Sequence, residues 1–99
     1  MGSRLKLHEY LKTLMNNVYY QPPESKKIEY PAIIYSKDQI RHALADDSKY
    51  KLNVSYEIII IDRLPDNKAI TELLKMPYST YDRHYVSDGL NHDVITLYF

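Results

Sequence analysis

The stretch from Asn53 to Arg63, N-V-S-Y-E-I-I-I-I-D-R, constrains the fold more than any other part of the chain. Its four consecutive isoleucines are stiff at χ1 and favour extended backbone, and such a run cannot place every side chain on one side of a period-2 element. The pattern predicts a central strand covered on both faces. Val54, Tyr56, Ile58 and Ile60 fall on one face, and Ser55, Glu57, Ile59 and Ile61 on the other. Asp62-Arg63-Leu64-Pro65-Asp66 then ends the run with turn residues, and this stop, with the short β-branched character, weighs against a helix.

The remaining elements arrange themselves around that strand. Ser3 is placed to cap a helix reaching about Asn16 or Asn17, with Leu7, Leu11, Leu14 and Val18 along one stripe. Tyr19 to Glu29 contains Pro22-Pro23 and a charged run, and reads as an extended connector. Tyr30 to Tyr35 is a second strand. Gln39 to Ala45 has both helical and alternating spacing, and its place between strands at hairpin distance favours a third strand turning at Asp46-Asp47-Ser48 into Tyr50 to Arg63. Asp66 caps a second helix, Asn67 to Met76, with Ile70, Leu73 and Leu74 as its apolar stripe and Pro77 as its stop. Tyr78 to Val86 and His92 to Phe99 form a hairpin about Ser87-Asp88-Gly89-Leu90-Asn91. The order α-β-β-β-α-β-β predicts a single α+β domain over residues 1–99, a largely antiparallel sheet of four to five strands with two helices on one face.

Ninety-nine residues bury only about 60 to 70% of their unfolded surface, so burial through self-association would help. The 13 basic and 13 acidic side chains cancel, which gives no general attraction for nucleic acid or anionic lipid. Lack of cysteine excludes a disulfide framework and a thiolate metal site. The longest aliphatic run is far short of the roughly 20 residues that span a membrane, and no secretory leader is visible. Eleven tyrosines stand against one phenylalanine and no tryptophan. Some are strand formers, but a ring carrying a hydroxyl also suits surfaces that become buried on assembly. Tyr19, Tyr20, Tyr30, Tyr35, Tyr81, Tyr85 and Tyr98 are the candidate interface residues.

Asp82, His84, Asp88, His92 and Asp93 crowd the last hairpin, and facing strands could set His84 beside Asp93 for metal or acid–base chemistry. The structural explanation is stronger. Asp88, Gly89 and Asn91 are turn formers, Asp82 and Arg83 can pair locally, and single histidines such as His84 and His92 on half-exposed strands need no role. With glycines only at positions 2 and 89 there is no phosphate loop, and no nucleophile sits in a catalytic context. The expectation is a non-enzyme without cofactor, metal or small-molecule substrate, with Asp82, Arg83, His84, Asp88, Gly89, Asn91 and His92 serving the hairpin.

Tyr20-Gln21-Pro22-Pro23, Tyr30-Pro31-Ala32-Ile33-Ile34-Tyr35, Ile61-Asp62 with Pro65-Asp66, and Tyr81-Asp82-Arg83-His84-Tyr85 with Asp88-Gly89-Leu90-Asn91-His92 resemble a family of small tail-module proteins of long-tailed phages and prophages. The likeness spans most of the chain and is to the tail-terminator or tail-completion class. The resemblance implies an α+β subunit of a homo-oligomeric, typically hexameric ring at the head-proximal end of the tail, made in the bacterial cytoplasm and carried in the virion. Its partners would be itself and other tail or neck proteins. The short chain and Pro-Pro connector depart from better-known terminators and leave a head–tail joining role as the alternative. A small metal-dependent enzyme using Asp82, His84 and His92 is a further alternative.

Overall fold

The computed structural model describes residues 4–44 and 50–99, with the side chains of 41–53 set aside. Its elements are α1 (Arg4–Leu14), β1 (Val18–Tyr20), β2 (Ala32–Leu44), β3 (Tyr50–Asp62), α2 (Lys68–Leu74), β4 (Ser79–Ser87) and β5 (Leu90–Tyr98). The five strands form one sheet in the order β1-β2-β3-β5-β4. Every neighbouring pair is antiparallel except β1 with β2, so the sheet is mixed.

β3 is central, as the isoleucine run requires. Its register sets Ile58 between Tyr35 of β2 and Ile95 of β5, and Tyr56 opposite Leu97. This face meets Leu7 and Leu11 of α1 and Ala69 and Leu73 of α2, and with Ile33, Ile58 and Ile60 they make the core. Both helices therefore lie on one side of the sheet. Each fully buried Leu or Ile there contributes about 2 kcal/mol by leaving water.

Among the described residues the opposite face has no helix. Ala32, Ile61 and Val94 are still buried there, but Ile34 and Ile59 are only half-buried, so the expected burial of both faces holds for one face and in part for the other. The connector takes a share of the covering. Tyr19 pairs with Ile34 and so faces away from the helices, and its hydroxyl accepts the Glu29 amide at 3.3 Å. Lys26 Nζ lies 5.7 Å from the same ring.

Several boundaries differ from the sequence reading. Val18 belongs to β1 and not to the helix stripe, because α1 ends at Leu14 and the Asn17 carbonyl already takes the Ile33 amide at 2.8 Å. Tyr19 and Tyr20 are strand, not connector. The two strands expected at 30–35 and 39–45 are one strand interrupted by a bulge between Lys37 and Gln39. Ser55, buried in β3, holds the bulge: its hydroxyl accepts the Gln39 amide and donates to Asp38. Asn67, not Asp66, caps α2 by accepting the Ala69 amide at 2.8 Å. Asp62 orders the turn before it, accepting the Leu64 amide and the Asn67 side-chain amide. The hairpin turn is the two residues Asp88 and Gly89, at φ 54° and 75°. Two successive positive φ values match the twist of the flanking strands, and Asp-Gly is the sequence that adopts them most readily. The Ser3 cap and the Asp46-Asp47-Ser48 turn lie outside the described residues.

The sheet is stepped. β5 reaches β3 only from Ser55 to Asp62, and β1 reaches β2 only from Ile33 to Tyr35. Beyond these limits β2 and β3 continue as a two-stranded ribbon, paired as far as Leu44 with Tyr50. Strands of this length span about 40 Å, and the molecule measures 50 × 27 × 23 Å.

Candidate assembly surface

The tyrosines divide into two populations with different jobs. Tyr20, Tyr35 and Tyr56 share the helix-side face, and their rings touch in series, with centroids 4.8 and 6.2 Å apart. Tyr35 is 1% exposed. Its hydroxyl meets His8 Nδ1 at 2.7 Å and Arg4 Nη1 at 3.5 Å, while the Arg4 guanidinium lies 4.5 Å above the Tyr20 ring. Tyr35 is therefore not an interface residue, because α1 of its own subunit covers it. Tyr20 is half-buried in the same stack. Burial pushes the Tyr35 and Tyr56 phenols above their ordinary value.

The second population lies along the last hairpin and the helix-free face. β4 is exposed from Thr80 to Ser87, and as the end strand of the sheet it has no strand on its outer side among the described residues. Tyr81, Tyr85 and Val86 are its large exposed side chains, Tyr78 is exposed just before it, and Tyr30 is exposed at the end of the connector. On the helix-free face Tyr85 stacks flat on His92, with centroids 4.6 Å apart and an interplanar angle of 12°. The Arg83 guanidinium lies 5.8 Å from the Tyr85 ring. Tyr98, half-buried, stands opposite Ser55 on that face.

The hairpin residues are occupied in local contacts. Thr96 donates to Asp82 at 2.5 Å, His84 Nε2 meets Asn91 Oδ1 at 2.9 Å, and the Asn91 amide group donates to the carbonyls of Asp62 and Arg63. His84 pairs with Asp93 and Tyr85 with His92, so the two histidines project from opposite faces and do not converge. Asp93 is the buried carboxylate, and Tyr81 donates to it at 2.7 Å. That bond, more than burial, raises the Tyr81 phenol above its ordinary value. Asp88 and Gly89 form the turn. Among the described residues no group of three His, Cys, Asp or Glu side chains is placed to hold a metal ion.

A recess of about 340 Å³, open to solvent, lies at the end of α1 among Lys12, Thr13, Met15, Asn17 and Asn67. Lys12 and Thr13 there donate to the Asn16 and Tyr10 carbonyls. Comparison with protein-family models, with curated proteins and with solved structures finds no match to this chain.

The sequence reading sets Ile59 on the second face of the central strand and expects that face to be covered; the structure leaves it and its neighbour Ile34 half-buried there, as an apolar strip on the helix-free face. Strand alternation carried the signal, since both lie one position out of phase with the core residues Ile33 and Ile60. What the arrangement offers is contact surface: an open strand edge, exposed rings bearing hydroxyls, and a sheet face that one subunit leaves partly bare.

Proposed function

We propose that this protein is a structural subunit of a phage or prophage tail, a tail terminator that closes as a hexameric ring at the head-proximal end of the tail. The observation that carries the reading is the one-sided helix layer, which leaves Ile34 and Ile59 half-buried on the far face beside an open β4 edge. Apolar and tyrosine side chains so placed favour a neighbouring subunit, and the sequence resemblance to tail-completion proteins says which assembly that subunit belongs to. Head-to-tail contacts close into a ring when the rotation between copies fits, and a sixfold tail tube selects that rotation. The partners are other copies of the chain and the last ring of the tube. The protein is not an enzyme in this reading, and its hairpin polar groups serve folding. Association of the isolated chain is weak, because a terminator that polymerised before meeting its tube would be wasted. Gold-labelled antibody against the chain should decorate purified tails at the head-proximal end; labelling at the distal tip or along the tube would reject the role.

A further inference from the structure

Past the reach of β1 and β5 the β2–β3 ribbon stands clear of the body as an arm, and a two-stranded ribbon is marginal in water unless something packs on it. Ile40 pairs with Val54 there, and at two-residue steps beyond them His42 pairs with Leu52 and Leu44 with Tyr50. Arg41–Asn53 and Ala43–Lys51 alternate with these pairs, so the register separates a largely apolar set from a more polar one. Val54 packs at the margin of the core, while its partner Ile40, on the same helix side, is 50% exposed.

The body has the converse deficit on its other face. The half-buried strip of Ile34 and Ile59 is flanked by Tyr19 with the connector on one side and by the stacked Tyr85 and His92 on the other. A copy cannot cover this strip with its own arm, because both are parts of β2 and β3 and they face opposite ways. A second copy can, by displacement along the strands without being turned over, its sheet about 10 Å beneath the arm as in stacked sheets.

The same displacement brings together the two ends of the body. α1 starts beside Tyr20 and Tyr35, at the arm end, and finishes near Asn17, at the end where β3 runs into the 62–66 turn. A copy beneath the arm lies on the helix side of the first and presents that turn to the start of its α1. Leu5 and Leu64, at these two ends, are 63% and 67% exposed. The turn carries two carboxylates against one guanidinium, and α1 opens with Arg4 and Lys6 and has no acidic residue in its first turn, so the charges that meet are complementary.

We propose that the β2–β3 arm of one copy lies on the helix-free face of a second copy of this chain, its helix side across Ile34 and Ile59, with the neighbour's 62–66 turn against the start of α1. The contact joins two different patches and is head-to-tail, so it rests on the ring reading above and names its interface. Each copy in a closed ring gives one arm and receives one, which covers the strip in every subunit.

The chain has no cysteine, so Ile40→Cys and Ile59→Cys each place a single thiol. Within one copy these positions face opposite ways, and a short bis-maleimide cannot bridge them. The concentrated mixture of the two single variants should give a covalent pair that neither gives alone, and the double variant a ladder that ends in a closed ring. In light scattering, Ile40→Asp should weaken association about tenfold or more, because it puts a carboxylate into a contact that only assembly closes. The thermal midpoint of the dilute variant should stay near that of the parent, and Ile40→Leu should associate as the parent does. Cross-linking of Ile59→Cys alone, a product that stops at dimer, Ile40→Asp associating like the parent, or a chain monomeric up to its solubility limit would overturn the proposal. Any of these with gold still marking the head-proximal tail end would remove this interface and leave the tail role standing.

Discussion

The Tyr35 hydroxyl is hydrogen-bonded to Nδ1 of His8 at 2.7 Å, and this bond ties α1 to β2. Arg4 donates to the same oxygen at 3.5 Å, so one hydroxyl joins two side chains of α1 to the sheet. Burial, then the charges of Arg4 and Lys12, hold the His8 pKa below its ordinary 6.5.

The sign of the resulting pH dependence follows from linkage. The unfolded chain takes up a proton at His8 near 6.5, and the folded chain only at lower pH. The stability this group contributes is complete above 6.5, declines as pH falls from there, and levels off below the folded value. His8→Gln keeps an acceptor for Tyr35 and removes the titration. Urea midpoints at pH 8 and pH 5 should differ less in the variant than in the parent. An equal difference in both would show that His8 does not titrate with folding.

Ile60 and Ile59 are neighbours in β3 with different fates, since Ile60 is 1% exposed beneath the helices and Ile59 is half-buried on the far face. Ile60→Asp should cost about 4 kcal/mol or more, because its carboxylate has no partner in the core. Ile59→Asp should cost about 1 kcal/mol in the monomer and act mainly on assembly. Thermal unfolding of the two variants in dilute solution checks the order, and equal losses would mean that the far face is closed within one subunit.

Tyr81→Phe removes the hydroxyl that donates to the buried Asp93. Removing a donor from a buried carboxylate should cost about 1.5 to 3 kcal/mol. Asp93→Asn should moderate the effect of the tyrosine change, because a neutral amide is less costly to leave wanting a donor. A double-mutant cycle in urea reads the coupling directly.

Much of the architecture is legible in the residues, and the gaps have local causes. The four isoleucines fix β3 as central, Asp88-Gly89 fixes the last hairpin, and Leu7 with Leu11 fixes the buried stripe of α1. β1 escapes because Val18–Tyr20 is strand only by parallel pairing with β2, a non-local contact that three residues cannot announce. The break read between 35 and 39 is a bulge, since the polar run Ser36-Lys37-Asp38 mimics a turn and only Ser55, distant in sequence, holds it in the ladder. Tyr35 was expected at an interface because nothing near it in sequence reveals that His8 and Arg4 satisfy its hydroxyl indoors. Tyr81 and Tyr85 of β4 lie exposed, and the half-bare strip at Ile34 and Ile59 depends on which face the helices choose.

The most direct test of the assembly role is a sixfold-averaged electron cryomicroscopy reconstruction of the head-proximal end of assembled tails. The account predicts a single ring of this chain seated on the last tube ring, with each copy contacting its neighbours through two different patches. Density that places the chain elsewhere in the tail, or that shows it working as an isologous dimer, would contradict it.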